Sequence, residues 1–165
     1  MRPKIFLVGE FDADFLKSHL KYDRDTGVFT WADTGKVAGS LRNGYTVINI
    51  ETFAPAKRAH RLAWLYVYGK WPTGDIDHIN GERSDNRIEN LRDVTRAINI
   101  QNRRKASAGS KSGLLGVVAR TRGKPWGASI RVDGKNKYLG TWDTKEQAHE
   151  AYLIAKRKYH PGCTI

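Results

Sequence analysis

Apolar positions change their spacing several times along the chain, and each change marks a predicted element. Phe11, Phe15, Leu16 and Leu20 recur at helical intervals. Lys21–Gly27 then turns the chain into a short strand, Val28-Phe29-Thr30-Trp31. Asn43-Gly44 breaks ahead of residues 45–50, which are β-branched, partly alternating and read as a second strand. In residues 57–69, Ala59, Leu62, Ala63, Tyr66 and Val67 share one helix face, and Gly69 is a natural stop. Ile76 to Ile79 reads as a strand leading into an Asn80-Gly81 turn, with Asn90 to Val94 as the returning strand. Thr95 is placed to cap a helix running to about Arg104.

Residues 106–113 (ASAGSKSG) are small and polar, and they predict a linker. Fully extended, eight residues span about 26–29 Å, enough for two modules to act apart. Three strand-like runs follow at 114–120, 126–132 and 137–142, with Asp133-Gly134 as a hairpin turn. Thr144 opens a helix over 145–156 that carries Ala148, Ala151, Tyr152 and Ala155 on one face, so small side chains let it lie close on the sheet. The expected class is α+β, with residues 1–105 as one domain, 106–113 as a linker and 114–160 as a small three-stranded antiparallel sheet packed on one helix.

Charge sharpens this division. The 165 residues carry a formal net charge of +12. Residues 1–102 hold 15 Lys+Arg against 13 Asp+Glu, whereas 103–165 hold 14 against 4. A polyanionic partner is implied, and the strand and aromatic content of the basic part favours a folded module over a solvated tail. The single cysteine, Cys163, excludes an intrachain disulfide or a Cys-x-x-Cys zinc site. The apolar run at 5–8 is too short for a signal peptide, and no stretch approaches a membrane span. A cytosolic protein is the plain expectation.

The chemistry concentrates at Asp77-His78, with Asn90 and Asn99 further along. A carboxylate and an amide oxygen suit a hard cation, and an imidazole can take a proton from water. The text GDIDHINGERSDNRIENLR (74–92), preceded by AHRLAWLYVYGKWP (59–72), resembles the HNH endonucleases of the phage and intron homing branch. The resemblance implies a ββα-metal core at about 74–105 with an N-terminal β/α extension. It also implies His78 as general base, Asn90 as an orienting residue that ties the hairpin loop and helps hold the His78 ring, and Asp77 with Asn99 as ligands of one divalent metal. Asp77 and Asn99 stand where many relatives have histidine, and oxygen donors favour Mg²⁺ or Mn²⁺ over zinc. No structural zinc is expected.

The second half, GVVARTRGKPWGASIRVDGKNKYLGTWDTKEQAHEAYLIA (116–155), resembles the Apetala-two/ethylene-response-factor DNA-binding domain over about 114–160. That likeness implies a sheet laid in the major groove, with Arg120, Arg131 and Trp142 as reading candidates and Arg122, Trp126 and Lys137 as weaker additions. Val118 stands where those proteins often carry arginine, so their target sequence does not transfer. Sheet-to-helix packing is the alternative role for both tryptophans. Arg103 and Arg104 read as phosphate neutralisers. Together these features predict a site-specific homing endonuclease on double-stranded DNA, a monomer or weak dimer in a host cytoplasm, encoded by a phage or mobile element. The rival is a DNA-binding regulator that keeps an inactive nuclease scaffold.

Overall fold

The computed structural model describes residues 11–50 and 56–165; the apolar run at 5–8 and Pro55 lie outside them. The chain divides into two compact units, one up to Val94 and one from Thr95 to Ile165. The described residues form four α-helices and small antiparallel sheets of two or three strands.

The first unit begins with α1 (Ala13–His19), capped by Asp12 Oδ1, which accepts from the Phe15 amide at 2.8 Å. It runs directly into β1 (Leu20–Tyr22), paired with β2 (Phe29–Trp31). β3 (Ser40–Arg42) and β4 (Tyr45–Ile48) form a tight hairpin through Asn43-Gly44, with φ of 51° and 80°, the left-handed pair that a two-residue turn requires. The sequence reading has no counterpart to β3. All three of its residues are exposed, so there is no inward face to produce alternation. β5 (Lys57–Arg58) completes this sheet and passes into α2 (Ala59–Tyr68), which ends at Gly69 with φ 71°.

Leu16, Leu20, Phe29, Ile48, Leu62 and Leu65 are fully buried and form the centre of this unit. Each such side chain contributes about 1.5–3 kcal/mol of burial. Against the core lies the hairpin of β6 (Asp75–His78) and β7 (Leu91–Val94), in register Asp77↔Arg92 and His78↔Leu91. A long loop closing in a 3₁₀ turn at Ile88–Asn90 joins the two strands.

The second unit starts with α3 (Arg96–Gln101), where Thr95 Oγ1 accepts from Ile98 N at 3.4 Å. This helix is shorter than the run to Arg104 read from the sequence. The reason lies in the bonds that follow it, which bind the chain to residues near the C-terminal end. Lys156 Nζ donates to Arg103 O, and Thr164 Oγ1 donates to Asn102 Oδ1 at 2.5 Å. Gly162 N donates to Gln101 Oε1 at 3.0 Å.

The 106–113 stretch is not an open tether. It folds into turns around Ser112, which is 4 % exposed and whose hydroxyl reaches Val117 O at 2.9 Å and Leu114 O at 3.1 Å. Serine satisfies backbone groups locally, so a Gly/Ser-rich composition here makes compact turns rather than reach. β8 (Val117–Ala119), β9 (Trp126–Val132) and β10 (Lys135–Trp142) form a sheet in the order β10-β9-β8. α4 (Lys145–Tyr159) lies across it, with Ala148, Tyr152 and Ala155 packed on Val117, Ala128 and Ile130. Gly116, at φ 78°, sits so close beneath Tyr152 that any β-carbon there would enter the ring.

Candidate active site

The β6–β7 pairing sets the first two residues of the site. Ile76, Asp77 and His78 are all buried, although strand alternation would expose one of them. Burying the Asp77 carboxylate requires a counter-charge. Arg92, directly opposite in β7, supplies it through Nε at 2.9 Å and Nη2 at 2.7 Å, both to Oδ2.

His78 is 5 % exposed, and its Nε2 lies 3.4 Å from Asn86 Oδ1, a long hydrogen bond. Asn86 is itself buried and donates from Nδ2 to Ser84 O at 3.1 Å, which leaves its oxygen facing the imidazole. Burial pushes the His78 pKa below its ordinary value, against the opposing pull of Asn86 and Asp77. The ring is therefore held neutral. An Nε2 proton shared with Asn86 leaves Nδ1 as the basic nitrogen.

Asn90 organises the loop. Its Oδ1 accepts from Asn80 N at 2.9 Å, its Nδ2 donates to Asp85 O at 2.8 Å, and its own carbonyl accepts from Ile79 N at 2.9 Å. Asn86 places its side-chain amide at the His78 ring, beside the loop that Asn90 ties together. Asp85 accepts a two-pronged bond from Arg87 and another from Asn80, and these bonds hold its carboxyl down to about 2. Asp93 accepts from the Thr73 and Gly74 amides at 2.8 Å, the capping use expected of carboxylates beside turns.

Two features outside the hairpin fix the loop from below. Tyr22 OH donates to Asn86 O at 2.6 Å, and burial raises that phenol's pKa. Gly27 lies against the Asn86–Arg87 peptide, where a β-carbon would fall 2.5 Å from the Asn86 carbonyl carbon.

His60, buried at the start of α2, packs beside His78 although the set of Asp77, His78, Asn90 and Asn99 does not include it. The structure places it edge-on to His78, with ring centroids 5.0 Å apart at 80°, and 5.4 Å from Tyr45. It is 4 % exposed, and among the described residues its Nδ1 has no hydrogen-bond partner. Burial, with help from His78, Arg58 and Arg61, lowers its pKa to about 3. Eighteen positions separate the two histidines in the chain (60 and 78), and no local spacing signals their contact.

Asn99 lies on α3 of the second unit, its amide closing the first helical turn on Thr95 O at 3.0 Å. Among the described residues no group of three or more His, Cys, Asp or Glu side chains gathers into a metal cluster. A carboxylate and an amide oxygen still match the donor chemistry of a hard divalent cation.

The second unit separates the DNA-binding candidates. Arg120 and Arg131 are exposed on the sheet face that also carries Val118, Ser129 and Tyr138 and is turned away from the Ala128 and Ile130 core positions; the register partner of Arg131 is Asn136. Arg120 Cζ stands 5.9 Å over the Tyr138 ring. Arg131 also donates to Gly134 O at 3.2 Å. Lys137 is paired with the buried Ile130 and reaches the Tyr159 ring of α4 at 4.8 Å, so it lies on the helix side.

Trp126 and Trp142 are register partners, half-buried against the core of this unit, which is the packing role weighed for them above. Arg122 is exposed in the β8–β9 loop and Arg103 is exposed after α3. Arg104 donates to Thr164 Oγ1 at 2.8 Å, a structural bond the sequence did not indicate. Tyr138, 60 % exposed, lies in the middle of the arginine-bearing face and is not among the residues singled out from the sequence.

Residues 57–101 match the HNH endonuclease family. Among curated proteins the chain is similar to the AP2-like ethylene-responsive transcription factors PLT2 and ANT of Arabidopsis thaliana, each 32 % identical over 136 residues. It is also similar to CRL5 of Oryza sativa subsp. japonica, 33 % identical over 136 residues. These alignments take in 78 % of this chain but only 20–24 % of the relatives, so the chain spans a quarter or less of their length. No solved structure matches. The class these findings support is an HNH nuclease domain accompanied by an AP2-like DNA-binding domain, with a nuclease or DNA-binding role. No helix among the described residues is long and apolar enough to cross a membrane.

Proposed function

We propose that this chain is a metal-dependent DNA endonuclease of the site-specific homing type, in which His78 is the general base and the basic second unit holds duplex DNA. One observation carries the reading. His78 is a buried imidazole, kept neutral by its surroundings, with Nε2 directed at Asn86 Oδ1. In that tautomer Nδ1 takes the proton from a water attacking phosphorus. Asn90 keeps the loop closed so that Asn86 stays in place, and Arg92 orients the Asp77 carboxylate.

Asp77 and, on the register of the motif, Asn99 are the residues that would hold one Mg²⁺ or Mn²⁺. A bound divalent ion supplies stabilisation of charge on the 3′ leaving oxygen. Products should carry a 5′ phosphate and a 3′ hydroxyl. One such site cuts one strand, so a monomer nicks and double-strand cleavage needs a second chain or a second encounter.

The test is a supercoiled-plasmid assay with Mg²⁺ or Mn²⁺, EDTA controls and the His78→Ala protein. Metal-dependent nicking should fall about 10²–10⁴-fold in that variant while duplex binding persists. Equal cleavage by His78→Ala would refute the assignment.

The similarity to AP2-like ethylene-responsive transcription factors favours a second reading, a DNA-binding regulator. No cutting by the wild-type chain, together with tight duplex binding in a shift assay, would select it.

A further inference from the structure

Four arginines flank the Asp77-His78 loop, and they divide into two kinds. Arg87 is paired with Asp85 and Glu89, and Arg92 with Asp77. Arg58 and Arg83 are exposed, and among the described residues neither has a carboxylate within ion-pair distance. Instead both lie on one aromatic ring. The guanidinium carbon of Arg58 stands 4.4 Å from the Tyr45 centroid and that of Arg83 5.1 Å from it. Three separate elements build this arrangement. Tyr45 opens β4 after the Asn43-Gly44 turn, and Arg58 ends β5 on the neighbouring strand, opposite Val47. Arg83 comes from the loop after β6, and its stem packs along the turn, with Cδ 3.7 Å from the β-carbon position of Gly44.

We propose that Arg58, Tyr45 and Arg83 form a phosphate clamp that grips the backbone of duplex DNA beside the His78 imidazole. Two cations gathered on one ring, with no counter-ion among the described residues, repel each other in the free protein, and a phosphate between them removes that repulsion. A guanidinium laid on an aromatic face keeps its N–H edge outward, in the geometry that meets phosphate oxygens two at a time. Stacking also fixes two long side chains in advance, so less rotamer freedom is lost on binding. Position relates the clamp to catalysis, because the Tyr45 ring lies 6.2 Å from the His78 ring. A strand held by these arginines therefore passes the basic nitrogen. This role in cleavage rests on the nuclease reading above; the phosphate site itself does not.

The test compares the full chain with Arg58→Gln/Arg83→Gln and with Lys36→Gln/Lys70→Gln, a control that removes the same charge from exposed positions outside the cluster. Binding to a fixed duplex is measured by fluorescence anisotropy over a salt series, and plasmid nicking is measured in parallel. The arginine pair should lower the slope of log K against log salt by about 2, weaken binding at least tenfold at moderate salt, and raise KM for nicking more than it lowers kcat. The lysine pair should leave slope and KM close to wild type. An unchanged slope in the arginine variant overturns the clamp, as does an equal loss in both variants. If the wild-type chain does not cut but the slope falls in the arginine variant alone, the phosphate site stands and the nuclease reading falls.

Discussion

His60 allows a quantitative test of how the core of the first unit is built. Its pKa is about 3 in the fold against an ordinary 6.5. The unfolded chain therefore takes up a proton as pH falls below 6.5, and the folded chain does not do so until about pH 3. Folding stability is full above the unfolded value, declines as pH falls through this window, and reaches its floor below the folded value. Between pH 7 and pH 4.5 the loss assignable to this group is about 2.5 kcal/mol, a large share of a small domain's stability.

His60→Phe removes the titration while keeping an aromatic ring edge-on to His78 and near Tyr45. It also removes the buried Nδ1, which has no hydrogen-bond partner among the described residues and whose desolvation costs about 1–3 kcal/mol. The variant should match or exceed wild-type stability at pH 7 and hold a clear advantage at pH 4.5. The indole N–H signals of Trp31, Trp64 and Trp71, all in the first unit, would report its unfolding through a urea titration at both pH values. His78, which also resists protonation, contributes to the acid loss in both proteins, so the difference between them isolates His60. Equal acid losses in wild type and His60→Phe would refute the account.

Other outcomes follow from the same contacts. Since burial lowers the His78 pKa, the nicking rate should stay high to below pH 6.5 and fall only as acid finally protonates the ring; a stopped pH series of initial rates would check this. Gly27→Ala places a methyl group on the Asn86–Arg87 peptide at a position with φ 72°. It should destabilise the first unit by about 1–3 kcal/mol and slow nicking through displaced Asn86, measured by thermal unfolding and the plasmid assay. Lys156→Met keeps the buried stem but loses the donor to Arg103 O; the second unit should lose about 1–3 kcal/mol, and amide exchange in α3 should quicken. Thr144→Ala removes the Oγ1 acceptor for Gln147 N, and about 1 kcal/mol of α4 stability should go with it.

Where the sequence carried a local periodic signal, the expectation and the structure agree closely. The α2 face of Ala59, Leu62 and Ala63, the Gly69 stop, the Asp133-Gly134 hairpin and the alanine face of α4 all depend on residues near one another in the chain. β3 escaped because an exposed three-residue strand has no inward face to alternate. The 106–113 turns escaped because the partners of Ser112 are backbone carbonyls, which composition does not encode. In the candidate site, Asp77, His78 and Asn90 are marked out by the resemblance of residues 74–92 to the HNH endonucleases. Asn86, His60 and Arg92 acquire meaning only through pairing across the fold, by strand register in one case and by core packing in the others.

The bonds that fasten α3 to residues 156–164 bear on how such a chain can be recombined. Composition invites a cut at the small, polar stretch after residue 105. A chimera joined there would separate Gln101, Asn102 and Arg104 from the Gly162 and Thr164 groups that hold them. The joint that keeps each folded unit whole lies at Val94/Thr95, so exchanging the unit proposed to hold DNA exchanges Asn99 with it. Address and a proposed piece of the catalytic apparatus are inherited as one parcel. On the proposed function, a new target specificity would be engineered more readily by substitution on the exposed sheet face, around Arg120, Arg131 and Tyr138, than by wholesale exchange of modules.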